Sequence, residues 1–325
     1  FLNKKLKKFL INVLPVLIGI ALIWYSVSKL SPADMAAIRN SFQTANYWWV
    51  GLSLLLGLLS NMSRAYRWEF MLSPLGYKPR FLNSLMSILI AYLLNMIIPR
   101  AGEIARATTI SKYEKVPFEK AFGTIVSERV ADVIILLGII LLAFILQTEL
   151  ISGYLFKDDS SSSSVKWIFL LVMGAFGLLF LKLLRKTSNP FLMKIQKFVY
   201  GLFQGVLSIF RMKKKWAFLF HTLFIWSMYI LMYYAITFAL PETKNLPFSA
   251  IVVSFVVGSL SIALTNGGLG TFPVFVASAL TLYQVPESAA LAFGWIAWTA
   301  QTLMIIVLGG LSFIILPVYN RKAET

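Results

Sequence analysis

Two short stretches of an otherwise apolar chain concentrate ionisable side chains. The first runs from Asn95 to Arg106 and holds Arg100, Glu103 and Arg106; the second runs from Ser127 to Asp132 and holds Glu128, Arg129 and Asp132. On insertion scales a charge at the middle of a bilayer costs roughly 2.5–3.5 kcal/mol, so such groups need a polar cavity or each other. Glu128 and Asp132 are spaced i,i+4 and share a helix face, and Arg129 and Asp132, spaced i,i+3, can pair. Two readings follow. The carboxylates lock the arginines in a structural ion-pair network, Glu128 meeting Arg100 or Arg106. Alternatively, the guanidinium forks present two hydrogen bonds to a phosphate. Arg100, Arg106 and Arg129 balance Glu103, Glu128 and Asp132, so an anion must displace a carboxylate or arrive with a proton.

A third stretch, Asn266, Gly267, Gly268, Gly270 and Thr271, is uncharged. Its glycines permit positive φ and an anion-binding nest of backbone amides, or else close helix packing. It lacks the Gly-Lys-Ser/Thr ending of a nucleotide-binding loop, and no strand precedes it. Arg64 and Arg67 read as inner-face anchors of the second span, with lipid-phosphate contact as the sharper alternative. His221 and Gln301 read as local hydrogen-bonding residues. The chain has no cysteine and one histidine, so thiolate sites and histidine metal clusters are excluded. No catalytic residue, metal site or cofactor is expected.

The elements that must position these groups are membrane helices. Of 325 residues 58% are hydrophobic and 13% charged, and the mean hydropathy is +0.77, against about 25% charged residues in soluble proteins. No interval between apolar runs is long enough for a soluble core, so residues 1–325 read as one membrane domain of all-α class. Spans are expected over 9–28, 47–63, 118–147, 165–184, 216–240 and 288–316. The first is too long for a signal-peptide core and ends in Trp24 and Tyr25, an interfacial anchor. The runs 81–98 and 248–265 differ. Each is followed by a break, Pro99-Arg-Ala-Gly-Glu103 or Asn266-Gly-Gly-Leu-Gly-Thr-Phe-Pro273, and by a return much shorter than the roughly 20 residues of a crossing. Both read as re-entrant hairpins, over 81–112 and 248–284.

Charge sets the orientation. With the N-terminus inside, the inner segments carry 24 of the 30 Lys and Arg residues and the outer segments five, with Arg129 inside a span. This bias places both termini in the cytoplasm. Three spans separate the hairpins, so the two enter from opposite faces, an inverted-repeat arrangement. Val116-Pro-Phe-Glu and Val285-Pro-Glu-Ser echo each other after the two breaks. Phe191, Ile195, Phe198, Val199, Leu202 and Phe203 predict an amphipathic interfacial helix over about 190–210. The following Arg211-Met-Lys-Lys-Lys215 faces anionic headgroups or forms a plain basic loop. The net charge of +17 points to anionic lipid, not nucleic acid.

Pro99-Arg-Ala-Gly-Glu103 with Arg106, then Gly123-Thr-Ile-Val-Ser-Glu-Arg129 with Asp132, then Gly267-Gly-Leu-Gly-Thr271, together with the pair Arg67-Trp68, resemble the flippase-like transmembrane domain of lysylphosphatidylglycerol synthases. The resemblance covers about residues 9 to 317. It implies translocation of an anionic or modified lipid, a phospholipid or a polyprenyl-phosphate-linked lipid, across the cytoplasmic membrane. The expected member stands alone, without the aminoacyltransferase domain, and is not itself a synthase. The expected substrate contacts are Arg100, Glu103, Arg106, Glu128, Arg129, Asp132, Arg64 and Arg67 on the inner side, and Asn266 to Thr271 on the outer. Two other functions fit the residues: an intramembrane transferase acting on a lipid-linked substrate, with Glu128 and Asp132 as acid and base, and a non-transporting partner of a separate lipid-modifying synthase. Self-association is compatible with each.

Overall fold

The computed structural model describes residues 31–98, 100–147, 212–265 and 267–321, with isolated positions at 20, 21, 24, 25, 28, 193 and 196. Nearly all of the expected first span, the expected span 165–184 and the amphipathic segment 190–210 lie outside the described residues. The chain divides into two units, one of residues 1–126 with 216–325 and one of residues 127–215. Among the described residues there is helix and no strand.

The first unit opens with α1 (Pro32–Thr44), started by a capping box in which Ser31 and Asp34 satisfy each other's backbone N–H. Asn46 caps α2 (Tyr47–Leu72) by accepting from Trp48 N. A short turn, Ser73–Leu75, closes on Gly76 at φ 89°. Then come α3 (Phe81–Ile97) and α4 (Ala101–Glu114). Next, α5 (Phe118–Leu146) contributes its first residues to this unit and the rest, from Ser127, to the second. After the second unit the chain forms α6 (Lys215–Thr237), α7 (Phe248–Leu264), α8 (Thr271–Thr281) and α9 (Glu287–Arg321).

Among the described residues three helices, α5, α6 and α9, are long and apolar enough to cross a membrane. The helices α3, α7 and α8 are apolar but shorter, at 17, 17 and 11 residues. At 1.5 Å per residue, 11 residues extend only about 17 Å. Around these helices the usual polarity of a soluble protein is reversed. On α2 the buried positions Val50, Ser53, Gly57, Ser60, Arg64, Arg67 and Met71 recur every three or four residues, while Leu55, Leu59 and Tyr66 are exposed. On α9 the exposed side is Ile306, Val307, Leu311, Phe313 and Ile314. A helix that turns its small and polar face inward and its branched apolar face outward is solvated by lipid.

Close approach is built from glycine. A methyl group on Gly102 of α4 would lie 2.1 Å from the Ala91 carbonyl oxygen of α3, so only glycine lets that pair fold back this tightly. A methyl group on Gly309 of α9 would lie 2.8 Å from the Leu89 carbonyl oxygen, and one on Gly294 would lie 2.7 Å from the Pro273 backbone. Thus α9 is pressed against both helix pairs, α3–α4 in its second half and α7–α8 near its start. Buried Ser87, Ser254 and Ser261 return their hydroxyl protons to carbonyls of their own helices, so these three hydroxyls are paired without a partner on another helix.

Candidate functional site

The break after α3 is held by its own residues. Ile98 N donates to Leu94 O at 2.8 Å, Ala101 N donates to Ile98 O at 3.1 Å, and Arg100 takes the left-handed conformation at φ 63°. The Asn95 side chain reaches over the turn and accepts from Gly102 N at 2.7 Å, satisfying one of the free amides at the start of α4. Glu103 stands in the first turn of α4, where the helix dipole favours an acid. Arg100 is exposed at the turn, whereas Arg106, one turn further than Glu103, is buried.

Arg106 lies against α2. Its guanidinium carbon is 3.8 Å from the ring centroid of Trp68, and Trp68 Nε1 donates to Thr124 Oγ1 at 2.8 Å. On the same helix Arg67 donates to Thr222 Oγ1 at 3.0 Å and lies 5.4 Å over the Phe218 ring. One turn earlier Arg64 donates to the Tyr229 hydroxyl at 3.2 Å. These three arginines are 2%, 0% and 3% exposed at Arg64, Arg67 and Arg106 respectively. Arg64 and Arg67, expected as anchors of the second span, are thus enclosed by protein and not exposed on its surface. The helix runs on to Leu72 and turns them inward with Ser60 and Asn61. His221 and Gln301 are locally bonded, His221 Nδ1 to Ser63 Oγ at 2.8 Å and Gln301 Nε2 donating to the Met232 thioether at 3.5 Å.

The second break begins at Thr265. Asn266 lies outside the described residues. Gly267, Gly268 and Gly270 have φ of 67°, 75° and 71°, which L side chains rarely adopt. A side chain on Gly267 would have room, its nearest neighbour being Met96 at 3.7 Å, so the need there is conformational; at Gly268 a Cβ would also press on Phe272 at 2.9 Å. Thr271 is buried and shares a hydrogen bond of 2.8 Å with Thr265. The Gly267 carbonyl accepts from Trp298 Nε1 of α9 at 2.7 Å. The contact at Met96 brings the second break beside the end of α3.

A cavity of about 300 Å³ opens at this meeting point. Its walls include Asn61, Tyr92, Trp226, Tyr229, Trp298 and Gln301, with Met96 and Gly267 from the two breaks. Tyr229, on its wall, is the residue that accepts from Arg64. A larger, open groove of about 690 Å³ runs along α2 and α9, lined by apolar residues such as Leu54, Leu58, Leu303 and Val307; Met304 borders both spaces. In sequence, the wall aromatics were hidden in apolar runs. The small and polar stripe of α2, continuing through Arg64 and Arg67, was the available signal.

In the second unit, Arg129 Nη1 lies 3.9 Å from Asp132 Oδ2, with the arginine side chain 40% exposed and the aspartate 10%. Glu128, one residue before, is fully buried. The expected i,i+3 pair is present, at the long end of ion-pair distance. Among the described residues no group of His, Cys, Asp and Glu has metal-site geometry.

Comparison with known proteins agrees with the membrane architecture. A UPF0104 membrane protein of Methanocaldococcus jannaschii is 25% identical over 299 residues, covering 82% of this chain and 84% of that protein. A UPF0104 membrane protein of Pyrococcus horikoshii is 23% identical over 177 residues, covering 53% and 51% respectively. No solved structure matches the chain. The family model described as the lysylphosphatidylglycerol synthase TM region matches residues 12–310, and with that coverage the chain belongs to this family of multi-pass membrane proteins.

Proposed function

We propose that the protein translocates a phosphate-bearing lipid across the cytoplasmic membrane, with both termini in the cytoplasm. The observation that carries this reading is the buried guanidinium of Arg64 bonded to Tyr229 on the wall of the central cavity. A buried arginine is costly, and its fork suits a phosphate. In this reading α3–α4 and α7–α8 are re-entrant hairpins entering from opposite faces as an inverted repeat. Arg106, stacked on Trp68, and Arg67 line the inner approach with Arg100 and Glu103. The amides of Gly267, Gly268 and Gly270 beside Thr271 receive the headgroup on the outer side. The groove along α2 and α9 accommodates the acyl or prenyl chains, which stay in contact with the bilayer while the headgroup passes. In the second unit, Glu128, Arg129 and Asp132 form a separate set of charges whose pairing responds to an anion. The long Arg129–Asp132 contact is of the kind a phosphate can replace. Transport is passive or ion-coupled.

The test is reconstitution into vesicles bearing fluorescent phospholipid in both leaflets, with a membrane-impermeant reductant added outside. Bleaching beyond the outer-leaflet share is expected for the wild-type protein and is expected to be lost in Arg64→Ala. A folded protein that moves no labelled lipid of any class sinks the proposal.

A further inference from the structure

The central cavity bears on which lipid is moved, and this inference rests on the lipid-translocation reading. Its walls carry two indoles, three phenols and two phenyl rings, and no charged side chain. The ring faces are electron-rich and do not favour an anion, so the phosphate belongs with the arginines and not among the rings. Two of the wall groups are under-used donors. Gln301 Nε2 donates only to a thioether sulfur among its described contacts, which is a weak acceptor. Among the described residues the indole N–H of Trp226 is buried without a hydrogen-bond partner, whereas that of Trp298 is taken up by Gly267. A ligand that fits these walls supplies oxygen acceptors. An ammonium supplies none, having three donors and no lone pair, and would leave both of these donors unanswered. The amide of Asn61 and the hydroxyls of Ser259 and Thr302, on the same walls, can both donate and accept.

We propose that the cavity binds a neutral polyhydroxylated headgroup carried on a lipid phosphate. The aromatic walls pack against its C–H faces, and Gln301 and Trp226 donate to its hydroxyl oxygens. A cyclitol or glycerol on a phospholipid and a sugar on a polyprenyl phosphate present the same chemistry.

The full-length protein in detergent is titrated with lipids of matched chain length, and binding is read by native mass spectrometry. The probes are phosphatidylinositol, phosphatidylglycerol, a polyprenyl phosphate monosaccharide, phosphatidic acid and phosphatidylcholine. One or more of the three polyhydroxyl lipids should bind about tenfold more tightly than phosphatidic acid and phosphatidylcholine; which does so separates the cyclitol, glycerol and glycosyl sources. Trp226→Phe keeps the ring and removes the N–H, and Gln301→Met keeps the length and removes the amide. Each should bring the affinity for the polyhydroxyl lipids down to that for phosphatidic acid. The preference should survive in Phe313→Ala, an exposed position of α9 outside both the cavity and the groove, which controls for general loosening. Equal affinity for all five lipids, or tightest binding of phosphatidylcholine, overturns the headgroup assignment and leaves the translocation reading standing. Failure of the folded protein to bind any of the five overturns both.

Discussion

The guanidinium of Arg106 stacks on the indole of Trp68 at 3.8 Å, tying the return helix α4 to α2 through a contact that carries charge and packing together. A desolvated cation–π contact contributes about 2 kcal/mol, and a neutral hydrogen bond about 1 kcal/mol. Trp68→Phe keeps a ring under the cation but removes the donation to Thr124, so it should lower stability modestly. Trp68→Leu loses both and should cost at least about 2 kcal/mol more. Thermal unfolding of the purified variants gives the order. Equal losses would mean that the indole acts through its volume alone.

The tightness of the first helix pair rests on Gly102. A methyl group there would meet the Ala91 carbonyl oxygen at 2.1 Å, a backbone atom that cannot swing aside. Gly102→Ala should therefore cost about 3 kcal/mol or prevent folding. Gly267→Ala meets no close atom and incurs only the positive-φ cost of about 1–2 kcal/mol. Folded yield by size-exclusion chromatography and the unfolding midpoint should rank wild type, then Gly267→Ala, then Gly102→Ala. The opposite ranking would show that the turn conformation, not the α3–α4 contact, limits folding.

Local signals in the sequence located most of the helices and few of their contacts. The apolar runs 81–98 and 248–265 correspond to helices Phe81–Ile97 and Phe248–Leu264, because positive-φ residues, Arg100 after the first and Gly267, Gly268 and Gly270 after the second, interrupt the chain there. The second span was read as ending at 63, where charge begins, yet the helix continues to Leu72. Arg64 and Arg67 extend the three-and-four-residue recurrence of Ser53, Gly57 and Ser60, which the hydropathy of the run obscures. The cavity walls were not legible. Tyr92, Trp226 and Trp298 are unremarkable in apolar segments, and only packing between distant segments places them around one space. The same holds for Asn83 and Asn320, which are 237 positions apart.

Those two amides face each other reciprocally. Asn320 Nδ2 donates to Asn83 Oδ1 at 2.9 Å, and Asn83 Nδ2 donates to Asn320 Oδ1 at 3.0 Å. Glu114 accepts from Arg80 Nε at 3.0 Å, and Asn83 also donates to Glu114. The base of the α3–α4 pair is thus fastened to the end of α9. Asn320→Ala should cost about 1–3 kcal/mol, since it leaves the buried Oδ1 of Asn83 without its donor. The double variant Asn83→Ala/Asn320→Ala should cost less than the sum of the single changes, because the orphaned partner is gone. Strict additivity in chemical unfolding would show that the two amides act independently.

At the start of α1 a pH dependence is expected. Asp34 is held below the usual carboxylate range by hydrogen bonds from the Ser31 side chain and backbone. The folded form therefore binds its proton less readily than the unfolded chain. The contribution is complete above the unfolded Asp value of about 3.9 and is lost as pH falls through the lower folded value. Amide exchange in residues 32–36, corrected for intrinsic rates, should show fraying as the solution is acidified through this range. In Asp34→Asn that dependence should vanish. Its persistence would assign the fraying to another group.

Arg100 separates backbone conformation from charge. It is an L residue at φ 63°, a conformation that costs about 1–2 kcal/mol without a compensating contact, and it stands exposed at the turn between α3 and α4. Arg100→Gly relieves the conformation and removes the cation. If the guanidinium serves only the turn, the variant should be more stable by about 1 kcal/mol and should move lipid at least as fast as the wild type. If the guanidinium meets the headgroup on its way in, the same variant should gain stability and lose transport. Arg100→Lys, which keeps the charge and the backbone cost, should then retain much of the rate. Our reading expects the second pattern: opposite signs for stability and transport in the glycine variant. A variant that gains in both, measured on one preparation by thermal unfolding and vesicle bleaching, would remove Arg100 from the lipid path and leave the stacked Arg106 as the cation that the first break contributes.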